Sequence, residues 1–463
     1  MFSCCSMRCA ARYLGAGVVL ALLLAPAAAT AERGADPRLP APVARWLAFE
    51  QERNDRSNDA RRLYPLDNHQ DPRYAPEQRR FFQLKSYWVD AERMHAFPTD
   101  ELAGTLRPMF LRQQNGRAQV RLVVHPESEP LYARLVAGAE RAEDFTASAT
   151  ASSRTLISWA PGHPETPFFL KVSLDKMLNG ARRTISQGEI ARSAGIGLLL
   201  EADRAGRVAR PGAAAALPAS FAALPEVLTA IPRGMPEGGM IIRLIPEGVI
   251  AGRTQCMPLF ALHSPGPNGA MPALVEMIRR SGQPAETFIR ERVIAPCVRQ
   301  WIELSVKNGI TSEPHGQNVL LELDARGLPT GTVVNRDFGG FWVDFEHRGR
   351  LGLWLPERMP VIGTLAEDYK LNPGRDRLAN LETYFYGGFV HNLDREVRSW
   401  FRRGWLEGQA PAERAFERVM LREVERVGAE LAGGRVEVNR LDGLTSVLQQ
   451  VKAAYVRRQG QAR

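Results

Sequence analysis

Cysteine is scarce in this sequence. Five cysteines occur among 463 residues, and three of them, Cys4, Cys5 and Cys9, fall at the very start. The other two are Cys256 and Cys297, and no Cys-x-x-Cys pair or Cys/His cluster is present. This argues against a structural zinc site. In an exported chain the two could form a disulfide, and they could equally be two separate buried thiols.

Long runs of one charge are also missing. The chain carries 60 Lys and Arg against 51 Asp and Glu, for a formal net charge of +9. A basic protein can bind nucleic acid, an anionic surface or a small polyanion held in a charged cleft. There is no Lys/Arg tract and no nucleic-acid-binding motif. We therefore expect a cleft for a small anion and no nucleic-acid partner.

Only one apolar stretch is long enough to meet a bilayer. It runs over residues 13–31, follows Arg8 and Arg12, and ends in Ala29-Thr30-Ala31. A positive start, a short apolar run and an Ala-x-Ala end are typical of a secretory signal peptide. We therefore predict a leader over residues 1–31 and an exported or periplasmic chain. An uncleaved membrane tether, or a mis-called start on a cytoplasmic protein, stays open.

The whole chain has ordinary globular composition, with 44% hydrophobic and 24% charged residues. Its length suggests about three domains or subdomains. Periodicity predicts strands over residues 119–125, 152–158, 168–174, 239–243, 249–252, 318–323 and 330–334. It predicts helices over residues 43–53, 131–142, 175–200, 271–280 and 286–308, and over most of the chain from 375. A tract at 209–219 indicates a linker or loop. Hairpins between helices favour an α+β fold over a doubly wound parallel sheet.

One polar cluster lies around the hairpin predicted at 152–174. Its members are Ser152, Arg154, Thr155, Lys171, Arg183 and Thr184. Arg154 and Lys171 can point to one face from adjacent strands, and Arg183 is expected in the helix that follows. Cations and hydroxyls together suit phosphates or a carboxylate-rich small molecule. A solvated basic face is the alternative.

A second polar cluster gives a more specific indication of function than the first. Its first half reads Glu313-Pro-His315-Gly-Gln317-Asn318, and its second half reads Arg-Asp337-Phe-Gly-Gly. A hairpin that brings Asn318 and Asp337 together could hold Mg²⁺, which takes few protein ligands and keeps phosphate oxygens. His315 could bind an anion or transfer a proton. Protein kinases use a similar Asn and Asp-Phe-Gly pair for metals. A purely structural hairpin is the alternative.

The order of these motifs resembles that of the NRPS-independent siderophore synthetases of the aerobactin-synthetase (IucA/IucC) type. The resemblance runs from about His125 to the end, and HGQN with RDFGG is its most specific part. It implies a cupped hand with a shortened N-terminal part. The implied subdomains are a thumb-like region at 32–135, a fingers-like region at 136–268 and a palm-like region at 269–463. It also implies that the chain could form a homodimer.

The same resemblance implies a reaction. Such enzymes use ATP and Mg²⁺ to adenylate a citrate-like carboxylate and then condense it with an amine or hydroxyl. The resemblance implies that nucleotide is bound by Ser152, Arg154, Thr155, Lys171 and Gln317. It implies that the carboxylate substrate is bound by Arg183, Thr184, His315 and Gln317, and that catalysis involves Lys171, Arg183 and His315. It implies that Mg²⁺ is held by Glu313, Asn318 and Asp337.

Two other functions remain open. The family's N-terminal Gly-His-Pro-x-His-Pro-x-x-Lys motif is absent before His125, and an exported chain has no ATP pool. An exported relative that binds citrate or a ferric siderophore without ATP chemistry is therefore the main alternative. An atypical phosphotransferase that releases ADP is a weaker one.

Overall fold

The computed structural model describes residues 39–53, 70–102, 104–178, 181–356, 381–438 and 440–461. The predicted leader lies outside these residues. Among the residues described, no helix is both long enough and apolar enough to cross a membrane.

A nine-stranded sheet forms the largest layer. The strands of the described residues are β1 Phe82–Asp90, β2 Met94–Pro98, β3 Leu111–Gln114, β4 Arg117–Val124, β5 Glu140–Ala149, β6 Thr155–Trp159, β7 Phe168–Val172, β8 Leu174–Leu178, β9 Ala181–Arg183, β10 Phe221–Ala223, β11 Glu226–Pro232, β12 Met240–Leu244, β13 Gln255–Pro258, β14 Ile310–Thr311, β15 Val319–Leu323, β16 Pro329–Asn335 and β17 Trp342–Val343. The large sheet has the order β2-β11-β12-β7-β6-β5-β1-β4-β3, and its neighbours are antiparallel. A second sheet has the order β10-β16-β15-β13.

Helices cover the ends of these sheets and build the C-terminal part. They are α1 Ala41–Glu52, α2 Leu106–Phe110, α3 Glu129–Val136, α4 Gln187–Arg204, α5 Glu247–Ile250, α6 Leu259–His263, α7 Ala273–Ser281, α8 Ala285–Ile289, α9 Ala295–Asn308, α10 Phe345–Leu351, α11 His391–Arg402, α12 Ala415–Ala432 and α13 Leu444–Gln461. Two π-helical segments, Arg290–Ile294 and Leu381–Val390, lead into α9 and α11. The α+β class predicted from the sequence is confirmed.

Helix α1 lies between the two sheets. Its buried Trp46 meets the ring of Phe169 on β7 edge-on, at 4.9 Å between centroids. The same apolar cluster includes Leu320 and Val334 from the smaller sheet. Burial of this helix therefore holds the central strands of the large sheet against the hairpin β15–β16, and this seam is where the predicted polar clusters meet.

Most predicted elements are confirmed. The hairpin β6–β7 pairs Thr155 with Lys171, and β15–β16 forms the second predicted hairpin. In the turn of the latter, Asp324 Oδ1 accepts from the backbone N–H of Arg326 and Leu328, which fixes the reversal. The tract 209–219 is irregular. The thumb, fingers and palm division stays a prediction.

Three predicted elements are wrong. The helix expected over 131–142 ends at Val136, because the chain turns at Gly138 with φ 75° and then enters β5. The helix expected over 175–200 begins only at Gln187, where the Ser186 hydroxyl caps it by accepting from the backbone N–H of Glu189. The residues before it form the β8–β9 hairpin. The strand expected at 249–252 is instead the end of α5 and a turn, so the β-branched side chains there misled the prediction.

Both remaining cysteines are free and buried. Cys256 lies in β13 and Cys297 in α9. Burial raises the pKa of Cys256 to about 12 and that of Cys297 further. The thiols are therefore protonated at neutral pH and serve as small core side chains.

A buried ion pair joins α4 to α10. The side chains of Asp203 and Arg348 are both fully buried, and each carboxylate oxygen lies 2.9 Å from a guanidinium nitrogen. Asn308 donates to the same carboxylate at 2.8 Å. The pair therefore fixes α4 and α10 to each other.

We expect Asp203→Ala to lower the free energy of unfolding by about 3–5 kcal/mol, because it leaves a buried guanidinium without its partner. Urea denaturation measures this. The control is Glu101→Ala, which removes the exposed pair with Arg204 and should cost less than about 1 kcal/mol. Equal losses in the two variants would contradict the role assigned to the buried pair.

Candidate functional site

A polar cavity of about 330 Å³ lies at the seam between the two sheets. Its volume is at the low end of the range of ligand pockets, about 300–1,000 Å³. It is lined by Ser152, Arg154, Thr155, Lys171, Arg183, Arg243, Glu313, His315, Gln317, Asn318, Arg336, Asp337 and Tyr384. The two clusters predicted from sequence thus come together in one pocket.

The first wall is the turn between β5 and β6. Ser153 has φ 63°, a left-handed conformation that tightens the turn. The Ser152 hydroxyl accepts from the backbone N–H of Thr155 at 2.9 Å. Arg154 donates to the carbonyls of Arg183 and Thr184, at 3.2 and 2.8 Å. The turn and the β9 region are therefore held as one unit.

Lys171 lies at the floor of the pocket, on β7. Its side chain is 2% exposed, and its Nζ lies 2.5 Å from Glu189 and 2.6 Å from Asp337. Glu189 also faces Arg154 at 3.4 Å. Burial acts to raise the pKa of Glu189, but Arg154 and Lys171 outweigh it and hold that pKa below its usual range. The ammonium group of Lys171 thus forms ion pairs with two carboxylates, those of Glu189 and Asp337.

Asp337 is the opposite member of this pair. It has φ 72° and ψ 74°, a left-handed conformation that non-glycine residues adopt uncommonly. Burial acts to raise its pKa, but Lys171, Arg243 and Arg154 hold the pKa of Asp337 well below its usual range. Its carboxylate is therefore ionised at neutral pH and points into the pocket.

Arg243 was missed by sequence reasoning. It lies on β12, is 2% exposed, and contacts Asp337 at 3.2 Å and Glu226 at 2.6 Å. Glu226 also accepts from the backbone N–H of Phe338 at 3.2 Å and from the Ser193 hydroxyl. A buried arginine in an apolar strand, IIRLI, was the available signal, since such a charge needs a partner.

The loop before β15 forms the second wall. The His315 carbonyl accepts from the backbone N–H of Asn318 and of Val319, at 2.9 and 3.1 Å. The backbone N–H of Gln317 donates to His315 Nδ1 at 3.2 Å. In the neutral ring the proton is therefore on Nε2, which is the tautomer that can donate to an anion.

Glu313 and Asn318 lie side by side above Asp337. The Asn318 side-chain amide donates to Glu313 at 3.1 Å, and Glu313 also interacts with the Tyr384 hydroxyl. Burial and the nearby charge of Asp337 raise the pKa of Glu313. A Cβ added at Gly340 would lie 2.9 Å from the Glu313 carboxylate, so any larger residue there would displace the Glu313 side chain.

These residues fit a magnesium site in their chemistry. Two carboxylates and an amide oxygen are ligands that Mg²⁺ accepts, and the repulsion that raises the Glu313 pKa is one that a cation would relieve. Within the described residues, no group of three or more His, Cys, Asp and Glu side chains could hold a metal by itself. A cation bound here would complete its shell with phosphate oxygens or water.

Two residues of the first cluster lie differently from expectation. Arg183 lines the pocket, but it does so from strand β9, which corrects its predicted helical position; its Nε donates to the Leu178 carbonyl at 3.0 Å. Thr184 is not among the lining residues, and its hydroxyl donates to Glu237 at 2.7 Å. Arg336 and Tyr384 line the pocket and were not predicted as site residues.

The fold is similar to that of solved structures of siderophore-biosynthesis proteins. The ATP-bound aerobactin synthetase IucA from a hypervirulent pathotype of Klebsiella pneumoniae has a TM-score of 0.54 and 18% identity, over 83% of this chain and 70% of that one. Aerobactin synthetase IucC from the same source has a TM-score of 0.56 and 18% identity, over 83% of this chain and 66% of that one. The petrobactin biosynthesis protein AsbB from Bacillus anthracis has a TM-score of 0.55 and 16% identity, over 82% of this chain and 66% of that one.

This chain has the fold of the siderophore synthetases. The resemblance seen in the motifs is therefore confirmed at the level of the fold. The chain spans about two thirds of the length of these structures. No protein-family model matches it, and no curated protein sequence matches it significantly.

The raised pKa of Glu313 predicts a pH-dependent stability. A carboxyl with a raised pKa favours the folded state below its ordinary pKa, about 4.3, and that contribution is lost as the pH rises through the folded-state value. We expect Glu313→Gln to raise the Tm at pH 7 and to have little effect near pH 4. Thermal melts at both pH values measure this. Glu247→Gln, at an 88% exposed side chain, is the control and should change the Tm at neither pH. A lower Tm for Glu313→Gln at pH 7 would contradict the assignment.

Proposed function

We propose that this protein is an ATP- and Mg²⁺-dependent ligase that adenylates a citrate-like carboxylate and condenses it with an amine or hydroxyl, as in siderophore biosynthesis. The observation that carries the proposal is the convergence of both motif clusters in one pocket. Five cationic side chains from distant parts of the chain line that pocket, namely Arg154, Lys171, Arg183, Arg243 and Arg336.

The reaction asks two things of such a pocket. A carboxylate oxygen of the substrate attacks the α-phosphorus of ATP and pyrophosphate leaves; the amine or hydroxyl then attacks the activated carbonyl and AMP leaves. Fixed cations favour the first step because negative charge grows on the phosphate oxygens. Holding carboxylate and phosphate side by side lowers the entropic part of the barrier.

The chain's residues divide between these tasks. Ser152, Arg154, Thr155 and Lys171 would meet the phosphates from the turn and the floor. Arg183, His315 and Gln317 would meet the carboxylates. Thr184, predicted as a substrate contact, would support Arg154 through its carbonyl. Glu313, Asn318 and Asp337 would hold Mg²⁺, which when bound neutralises phosphate charge.

A binding protein without ATP chemistry is the second candidate. The observation in its favour is that three of the pocket's five cations are already firmly paired: Lys171 with two carboxylates, Arg243 with Glu226, and Arg336 with Glu50. A site arranged in this way could hold a polycarboxylate through its remaining donors. It would bind citrate and show no affinity for nucleotide.

We expect the purified protein to exchange labelled pyrophosphate into ATP when citrate or another polycarboxylate is present. The exchange should stop when Mg²⁺ is omitted, because the phosphates then lose their counter-charge. It should also stop when Asp337 is changed to Asn, because the metal then loses a carboxylate ligand. Exchange is measured by the label recovered in ATP. Citrate binding without exchange or nucleotide binding would favour the second candidate. ADP in place of AMP as the product would indicate a phosphotransferase.

We expect Arg183→Ala to weaken citrate binding by about 1.5–3 kcal/mol, the usual value of a charged hydrogen bond. Arg182→Ala is the matched control. Arg182 is 54% exposed and pairs with Asp175 outside the pocket, so its loss should leave affinity unchanged. Isothermal calorimetry measures both. Unchanged affinity in Arg183→Ala would refute the placement of this residue at the carboxylate.

A further inference from the structure

The last turn of α1 reaches the back of the pocket. Glu50 is fully buried there, 286 positions before Arg336 in the sequence. Its two carboxylate oxygens lie 2.5 and 3.2 Å from two nitrogens of the Arg336 guanidinium. This is a two-point contact, which fixes the plane of the guanidinium as well as its position.

Glu50 also contacts the other wall of the pocket. The backbone N–H of Ala151, the residue before Ser152, donates to its Oε2 at 3.3 Å. The neighbouring Gln51 donates from its side-chain amide to Ser148 Oγ and to the Ala149 carbonyl, each at 2.9 Å. The helix end therefore holds the β5–β6 turn directly.

Arg336 links Glu50 to the second wall of the pocket. It lines the pocket, its Nε donates to the Gln317 carbonyl at 2.8 Å, and its backbone N–H donates to the Asn318 carbonyl at 2.9 Å. One buried carboxylate thus connects the turn at Ser152 with the loop that carries His315.

Stability alone is a poor explanation for such a pair. Removing two charges from water is costly, and well-packed apolar residues often stabilise a core as much or more. Trp46 and Val43 on the same helix already supply apolar packing between the sheets. A charged pair in this place is better explained by the need to hold a cation at the pocket wall in one orientation.

We infer that Glu50 is a positioning residue of the pocket, acting through Arg336 and the Ala151 N–H to fix the two ligand-binding walls relative to each other. The N-terminal helix α1 is then part of the site. The inference rests on the proposed function only for the identity of the ligands, citrate and Mg-ATP.

The test compares Glu50→Gln with Glu52→Gln in the full chain. Glu52 lies in the same helical turn but pairs with Arg79 at 2.7 Å away from the pocket. We expect Glu50→Gln to weaken the binding of citrate or Mg-ATP about tenfold, the size of one charged hydrogen bond, with a raised KM in the exchange assay. Glu52→Gln should match the wild type. Calorimetry below the Tm of each variant measures the affinities.

A double-mutant cycle separates positioning from a general effect on folding. If Glu50 acts through Arg336, then Glu50→Gln combined with Arg336→Gln should bind no more weakly than Arg336→Gln alone. Additive losses, or wild-type affinity in Glu50→Gln whatever its Tm, would overturn the inference. Ligand binding without pyrophosphate exchange in the wild type would count against the proposed reaction only. A wild type that binds neither probe would overturn both.

Discussion

The ion pair between Lys171 and Asp337 joins the two sheets of this protein, and the pocket is arranged around it. Lys171 comes from the middle of the nine-stranded sheet, and Asp337 follows the last strand of the hairpin in the smaller sheet. Buried charges are tolerated only when each has a partner. Glu189, Arg243 and Glu226 extend the pair into a row in which every group meets an opposite charge.

That row changes how ligand binding should be understood. An anion that binds here would not enter an empty basic cleft, because Arg154, Lys171, Arg243 and Arg336 already have carboxylates beside them. It must instead exchange partners with those carboxylates, and a divalent cation near Asp337 and Glu313 would make the exchange easier by taking over their charge. Affinity in such a site depends on the difference between two sets of contacts, which favours ligands that match the whole arrangement.

The sequence allowed the local parts of this site to be predicted, and the structure brings them together. The β6–β7 hairpin and the HGQN and RDFGG motifs are short segments whose turns and glycines are visible in the printed residues. Arg183 was placed in a helix because the β8–β9 hairpin lacks a clean alternation, and its strands exist through pairing with each other. Glu50 and Arg243 belong to no motif, since their role comes from tertiary contacts with Arg336 and Asp337, which lie 286 and 94 positions away. Such partners meet only in the folded chain.

The distance in sequence between Glu50 and Arg336 has a consequence for biosynthesis. Chains are made from the N-terminus, and contacts between remote residues form after the intervening segment has been synthesised. A nascent chain that ends before β16 would hold α1 and the large sheet, while Glu50 and Lys171 would still lack their partners Arg336 and Asp337. The apolar seam would then be exposed with Glu50 unpaired inside it, although Lys171 would keep Glu189 as a partner. The seam therefore stays exposed for longer during synthesis than the core of a protein with local contacts would, until the hairpin that carries Arg336 has been made.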